Sequence, residues 1–389
     1  MTNWKTYRLG DILNFRRGHD LPKTDMVNGE IPVAGSNGII GYHNVSTPIE
    51  PCITIGRSGN VGTPYIYDKC WAHNTVLYID DFKGNDPLYL YYLLKTIPLA
   101  SYGGGSAVPT LNRNHIHPIE IKHTPSLEVQ RRIAGILGAI DDKIENNRRI
   151  NTNLELQAQT LYKQWFVDFE FPNEEGKPYK SSGGKMFDYE LGQIPEGWSV
   201  GKLEDMGTIV GGGTPSKAKQ EYYTSHGIAW ITPKDLSITH AKFTAKGEVD
   251  ITDIGYANSS AKMMPRGSIL FSSRAPIGYI SIAKNDICTN QGFKSVVPNN
   301  GCTAFVYYFL LSNTENIESK ATGSTFKEAS GALMKSLALV IPSDDILEKF
   351  EKIMSPIFEA QEKFEAENET LATLRDTLLP KLMNGEIKL

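Results

Sequence analysis

A chain of 389 residues and 43.2 kDa exceeds what one compact core organises, so two or three domains are expected. Hydrophobic residues at 40%, charged residues at 22% and the lack of any apolar run near the roughly 18 residues that span a bilayer exclude a disordered, fibrous or transmembrane chain. The net charge of −4 is unevenly spread: residues 1–122 and 198–342 carry +1 and +3, while 172–197 and 343–389 carry −2 and −5. Neither large segment is polybasic, so any DNA affinity has to rest on placed contacts rather than bulk charge.

The start of the chain, MTNWKTYRLGDI, has no apolar h-region, so no secretory signal is expected there. Cys52, Cys70, Cys288 and Cys302 form no CxxC pair. That spacing argues against a zinc ribbon or a disulfide scaffold and fits a reducing cytoplasm, the expected location. Short β-like runs then follow at Cys52–Ile55, Tyr65–Tyr67 and Val76–Ile79, punctuated by Gly, Pro and Asn clusters, as in a mixed domain rich in turns. Tyr91, Tyr92, Leu93 and Leu94 read as a core helix, and Glu120–Lys122 as an edge strand. Thr124-Pro125 has the form of a helix cap with proline at the first helical position.

From there an apolar seam recurs every seven residues at Ile133, Ile140, Asn147, Leu154 and Leu161, with Leu137 and Ile144 between. Residues 172–197, rich in Gly, Ser and Lys at their start, read as a linker. Ser268–Phe271 is strand-like, Tyr307–Leu310 helical, and Ser343, Asp344 and Asp345 open a second long helix. Its seam is Phe350, Ile357, Phe364, Leu371 and Leu378, with Ile346, Ile353, Ala360 and Leu374 between. Two helices of about 35–40 residues result, roughly 55 Å each. They would either pack separately on their own domains or form an antiparallel coiled coil, and the second is the expectation, with Asn147 fixing the register.

The chain is written twice. Trp4, Leu9 and Asp11 recur as Trp198, Leu203 and Asp205; Arg57 and Gly62 as Arg274 and Gly278; Tyr91–Leu94 as Tyr307–Leu310; and Gly105-Ser106 as Gly323-Ser324. Pro125 matches Pro342 and Leu161 matches Leu378, so the offset stays near 217 through the last part of each half. The offset at tryptophan is only 194, so copy two holds about 23 extra residues, expected within 217–260.

These motifs carry a resemblance. Thr124-Pro125 with the run Ser126–Ile133 resembles the entry to the spacer helix of type I restriction–modification specificity subunits. Leu161–Phe169 resembles the end of that helix, Leu191–Trp198 the entry to the second target-recognition domain, and Leu378–Glu386 the final helix end. The second helix departs from the pattern at Ser343–Glu348, which lacks the Glu-Gln pair. The resemblance implies an α+β fold with two tandem target-recognition domains separated by two long antiparallel coiled-coil helices, a pseudo-two-fold internal repeat. It implies recognition domains over 1–123 and 198–342, spacer helices over 124–171 and 343–389, and the linker at 172–197.

The implied function is to read a bipartite, asymmetric DNA site without acting on it. Two DNA-methyltransferase subunits and motor–nuclease subunits would dock on the chain, and S-adenosylmethionine, Mg and ATP would belong to those partners. No Walker A pattern, adenine-methyltransferase motif, G-x-G-x-x-G or H-E-x-x-H occurs, in keeping with a non-catalytic subunit with no metal site. Two alternatives stand beside it. A coiled-coil scaffold that binds only proteins would show no sequence-specific protection, and a free-standing nuclease would use Glu120 and Lys122 with Asp86. Gly211–Pro215 reads as a turn, or else as a backbone contact to DNA.

DNA-contact candidates are Arg57, Ser58 and Asn60 in a Gly-rich turn, where backbone freedom lets a guanidinium approach phosphate or guanine. Lys69, His73, Asn74, Arg113 and Asn114 complete the set in copy one. Copy two offers Arg274, Ser273, Lys217, Lys219, Lys234, Asn290, Gln291, Lys320 and Lys327. Arg57 and Arg274 are matched, so gripping phosphate or bracing the fold is expected of them more than reading a base.

Overall fold

A computed structural model describes residues 4–104, 109–299, 301–323 and 327–389. The repeat match at Gly105, Ser106 and Ser324 lies outside the described residues. Contacts divide the chain into two units, residues 1–146 with 368–389, and residues 147–367.

In the first unit, apolar residues at alternate positions build an antiparallel sheet in the order Asn14–Arg17, Val76–Asp81, Cys52–Gly56 and Pro64–Tyr67. Ile53, Ile55, Phe15 and Ile79 turn to the core and are fully buried there. The second unit repeats this order with Gly207–Gly211, Lys294–Pro298, Ile269–Ser273 and Ile277–Ala283, and adds Phe243–Thr244 in parallel at the edge. That extra strand belongs to the inserted stretch. A two-stranded pairing precedes each sheet, Lys5–Arg8 with Glu120–His123 and Ser199–Lys202 with Ala338–Ile341.

Register makes the repeat testable residue by residue. Ile53 pairs Ile66 and Ile55 pairs Pro64, while Ile269 pairs Ile282 and Phe271 pairs Ile280, so the hairpins correspond at an offset of 216. Gly62 and Gly278 occupy the same position, with φ of +81° and +100°. A Cβ there would meet the Ala100 nitrogen at 2.6 Å or the Thr314 side chain at 2.3 Å, so both halves need glycine at that turn.

The same register corrects the expected match of Arg57 with Arg274. Leu111 N donates to Arg57 O in one half, and Ala329 N donates to Ser273 O in the other. Arg57 therefore stands where Ser273 stands, and Ser58 where Arg274 stands. One position along a strand is enough to turn a side chain to the other face.

The long helices run Leu127–Phe166 and Asp344–Met383, each of 40 residues. The first begins later than the Thr124-Pro125 cap expected from sequence: the Ser126 hydroxyl accepts from Val129 N at 3.4 Å, and its carbonyl from Gln130 N at 2.9 Å. The helices pack antiparallel. In the first unit Ile133, Ala134 and Leu137 share a core with Leu379, Leu382 and Met383. In the second, Ala158, Tyr162, Trp165 and Phe166 share one with Ile346, Phe350 and Met354, and the rings of Phe166 and Phe350 meet edge to face at 4.8 Å.

Of the seam positions, Ile133, Asn147 and Phe350 are buried, and Ile140, Leu154, Leu161, Ile357, Phe364, Leu371 and Leu378 are half-buried. In the row beside them Leu137, Ile144 and Ile346 are buried as read from sequence, and the difference lies further along the second helix. Ile353 and Leu374 are 42% and 45% exposed. The inward row is Leu137, Ile144, Asn151, Ala158 and Trp165 on one helix and Met354, Gln361, Asn368, Arg375 and Leu382 on the other. Several of these are polar, so a criterion of hydrophobicity passes over them although each lies four residues after a seam position.

Each unit fastens a short helix to this pair through a tyrosine hydroxyl. In the first, Tyr92 of helix Pro87–Lys95 donates to Asp141 Oδ2 at 2.7 Å, and Arg375 Nη1 lies 2.7 Å from Asp141 Oδ1. In the second, the equivalent Tyr308 of helix Thr303–Ser312 donates to Glu155 Oε2 at 3.1 Å, and Lys242 Nζ lies 2.6 Å from that oxygen. Lys242 also donates to Tyr308 and to Gln361 Oε1, at 2.7 and 2.9 Å, and sits over the Phe358 ring at 4.0 Å. Burial penalises the Glu155 carboxylate, but Lys242 and the hydrogen bonds to it outweigh burial and hold its pKa below the ordinary glutamate value. These tyrosines are structural, not platforms for stacked bases.

All four cysteines are buried, and burial pushes the thiols of Cys288 and Cys302 up to about 11 and about 12. Among the described residues no helix is long and apolar enough to cross a membrane.

Replacing Lys242 by methionine leaves the half-buried Glu155 carboxylate without its ion-pair partner and is expected to destabilise the second unit, by less than the roughly 3–5 kcal/mol of a fully buried broken pair. Thermal unfolding followed by circular dichroism checks this, and an unchanged melting temperature counts against a central role for the cluster. In the first unit burial lowers His123 to about 4, from an ordinary value near 6.5. The unfolded chain then binds more protons than the folded one between about pH 6.5 and 4. His123 stabilises fully above that window, and its share is lost as pH falls through it, up to about 3 kcal/mol. A His123→Gln variant should show a flatter decline of stability over the same range in denaturant titrations.

Candidate nucleic-acid interface

The insertion in copy two builds one wall of a cleft of about 750 Å³. Its apolar floor is Tyr223, Trp230, Pro233, Val249 and Ala275. Trp230 is fixed by its indole N–H, which donates to Gly213 O at 2.9 Å, and Tyr223 by its hydroxyl, which donates to Pro215 O at 2.6 Å. Gly212 and Gly213 are packing positions, since a Cβ would fall 1.9 Å from Asn290 O or 2.3 Å from Ala261 N, whereas Gly211 has open space beside it. No helix follows them; the chain continues into Thr214, whose hydroxyl bonds Gln291 at the cleft edge.

Polar side chains rim this floor. Lys217, Lys234, Arg274, Asn290 and Gln291 all line it, so five of the copy-two candidates converge. Thr232 opens the wall helix Pro233–Thr239 with a capping box, its N–H and hydroxyl both donating to Asp235 Oδ2 at 2.7 and 2.6 Å. Arg274 projects from the hairpin turn beside Ala275, whose φ of +53° is a strained value for a residue with a Cβ. Its guanidinium lies 3.4 Å from Glu328, which Lys294 also approaches at 3.1 Å. Lys234 pairs with Glu248 at 2.7 Å across the rim, both side chains two-thirds exposed, an interaction that solvent leaves weak.

The remaining copy-two candidates do not line the cleft. Ser273 is fully buried and donates to Gly292 O at 3.1 Å, a framework bond. Lys219 donates to the Tyr222 hydroxyl at 3.0 Å, Lys320 ends the helix Thr314–Lys320, and Lys327 is exposed before Glu328.

Copy one presents a different surface. A cavity of about 380 Å³ is lined by Arg57 and Arg113 together with Arg16 and Arg17, two residues that sequence alone does not single out. Nearby, Asn74 accepts from Arg57 through its carbonyl at 3.4 Å and bonds Asp20 through its side chain. His73 Nδ1 meets the Thr75 hydroxyl at 3.0 Å, and burial lowers its pKa against the opposing charge of Asp20. Ser58 pairs with Thr110 through a backbone bridge, Asn60 accepts from Thr63 at 3.4 Å, and Asn114 N donates to the Asn112 cap at 3.0 Å. Lys69 stands apart, paired with Glu50 at 3.2 Å on the surface.

The nuclease alternative finds its residues otherwise engaged. Glu120 and Lys122 are exposed on their strand, and Asp86 caps the helix Pro87–Lys95 by accepting from Tyr89 N at 2.9 Å. Among the described residues no group of three or more His, Cys, Asp or Glu is placed to hold a metal ion.

Comparison with known proteins converges on one family. The model of the type I restriction modification DNA specificity domain matches residues 1–156 and 195–374. The chain is 37% identical over 185 residues to the type I restriction enzyme MjaIX specificity subunit of Methanocaldococcus jannaschii, covering 47% of this chain but only 43% of that relative. It is 29% identical to the HindI specificity subunit of Haemophilus influenzae, covering 68% of each. With the EcoR124I/EcoR124II specificity subunit of Escherichia coli it shares 26% identity over 85% of this chain and 81% of the relative. In fold it resembles the crystal structure of the S subunit of a type I restriction–modification system from M. genitalium, with a TM-score of 0.67, 16% identity, and 98% and 96% of the two chains covered.

Lys217 and Gln291 are exposed on the cleft rim, so replacing both by alanine should shift stability by less than about 0.5 kcal/mol. The same pair should weaken binding to a duplex carrying the target by about 1–3 kcal/mol for each hydrogen bond to a base that is removed. Fluorescence anisotropy alongside a thermal melt separates the two effects.

Proposed function

This chain belongs to the type I restriction–modification DNA specificity family, and on that premise we propose that its two halves read the two parts of a split, asymmetric DNA site for modification and restriction subunits that act there. The subunit itself is non-catalytic, and the chemistry lies with its partners. The observation that carries the reading is the contrast between two equivalent frames: one displays a cavity lined by arginines, the other a cleft with an aromatic floor and mixed cationic and amide rim. Two copies of one surface would suit a symmetric target, whereas two different surfaces suit two different half-sites. The family match supports this reading over a scaffold that binds proteins alone.

In this reading residues 1–123 and 198–342 are the recognition domains, the helical segments 124–171 and 343–389 are spacers that hold the half-sites' separation, and 172–197 is the linker. Two methyltransferase subunits dock and modify adenine, and motor–nuclease subunits join them. S-adenosylmethionine, Mg and ATP are bound by those partners, and the assembly works in the cytoplasm, where the DNA is. The near-neutral charge of both domains fits a reader whose affinity is completed by partners closing around the duplex.

Mapping N6-methyladenine across the genome with and without the gene tests the proposal. Loss of one bipartite motif is the expected result, and a methylome unchanged in cells that express the modification subunits would refute it. Exchanging residues 198–342 for those of a relative should alter one half of the motif only. A change in both halves contradicts the modular reading.

A further inference from the structure

Four of the eleven basic side chains in residues 1–122 meet at one place. Arg16, Arg17, Arg57 and Arg113 line the 380 Å³ cavity with Thr110 and Asn112 beside them, and no carboxylate lies in its wall. Two of the four are braced from behind: Arg113 Nη1 donates to Phe15 O at 3.2 Å and Arg57 Nη1 to Asn74 O at 3.4 Å. Arg16 and Arg17 are exposed; the Arg16 side chain hydrogen-bonds Tyr78, and Arg17 has the exposed Asp20 at 3.8 Å as an ionic neighbour. Four arginines lining so small a space concentrate positive charge there, which a bound anion offsets.

The internal repeat supplies the control. Arg16 and Arg17 pair with Tyr78 and Leu77 in the first sheet, and the corresponding strand positions, Val210 and Gly211, pair with Ser295 and Lys294 in the second. Arg57 corresponds to Ser273 through the shared carbonyl bond. Arg113, first residue of its helix after the Asn112 cap, corresponds to Gly331 after the Ser330 cap. The second unit thus builds the same frame with none of the four arginines, so the frame does not require them. At the position of Thr110 it places Glu328, which pairs with Arg274 and Lys294. One half concentrates positive charge where the other neutralises it.

We infer that this cavity is a phosphate site, taking a backbone phosphodiester of the DNA and present in the first recognition domain alone. The inference rests on the specificity reading above and deepens it. A guanine edge offers two acceptors to one arginine fork, whereas a phosphodiester brings a full negative charge and accepts from several donors at once. The four-arginine cavity is therefore a positioning device: it grips the backbone and sets the register in which its own domain meets the bases.

The test uses the full chain co-purified with its modification subunits and a duplex carrying the mapped motif, with binding measured by anisotropy at stepped salt. R16A/R17A, both exposed, should weaken binding about ten-fold or more at low salt and lower the log–log salt slope by about 0.9 for each phosphate no longer neutralised. R16K/R17K should recover most of the slope but less of the affinity, because lysine keeps the charge and not the fork. A K177A/K180A variant makes the same charge change in the linker and should leave both unchanged. Neutral methylphosphonate linkages walked through the first half-site should abolish the difference between wild type and R16A/R17A at one or two positions. An R16A/R17A slope equal to wild type, an equal loss with K177A/K180A, or sensitivity only to altered guanines would each overturn the phosphate site while leaving the specificity reading intact. A wild-type complex that binds no duplex would overturn both.

Discussion

Antiparallel helices with an unbroken apolar seam can slide by a heptad at little cost, whereas buried polar groups can be satisfied in one register only. That constraint governs this chain. Asn147 donates to Glu367 at 2.8 Å, Asn151 and Gln361 exchange bonds through their backbone carbonyls, and Gln361 reaches Glu155 at 3.1 Å. Shifting either helix by seven residues would strand each of these groups in a buried site, a penalty of about 1–3 kcal/mol apiece. Apolar packing at Phe350 and Leu137 supplies cohesion, and the polar layer supplies the register.

The two units solve the attachment of a recognition domain to those helices by the same device with different parts. A tyrosine at corresponding positions ends on a carboxylate of the central helix in both, Asp141 or Glu155. The neutralising cation comes from the C-terminal helix in the first unit and from the inserted stretch in the second. The insertion therefore does two jobs. It supplies Lys242 to the attachment and, a few residues earlier, Trp230 and Lys234 to the cleft, so the cleft and its anchorage are carried by one segment.

Much of this was legible in the sequence, because repeats and heptads are patterns of hydrophobicity and hydrophobicity decides what is buried. The two long helices and the matched strands were accessible that way, while five polar residues of the cleft rim were singled out for their chemistry and not as members of one cleft. Three things were not. The inward positions Gln361, Asn368 and Arg375 are polar, and only the partner across the interface makes them seam residues. The match of Arg57 to Arg274 was one residue out, since identity of side chain is a weaker guide than hydrogen-bond register. Arg16 and Arg17 look like ordinary solvated residues until the sheet brings them beside Arg57 and Arg113, although their replacement by Val210 and Gly211 in the second copy was itself a signal.

The burial of all four thiols has a practical consequence. A thiol pushed well above its usual range, inside a packed core, offers almost no thiolate to an alkylating reagent. The buried native thiols are therefore expected to react slowly with maleimides, and one cysteine placed on the surface to react first. A fluorophore set singly on the rim of the cleft or of the arginine cavity would report from that recognition domain alone. The two halves of the molecule can then be observed separately as they engage the same duplex, without first removing a single native residue.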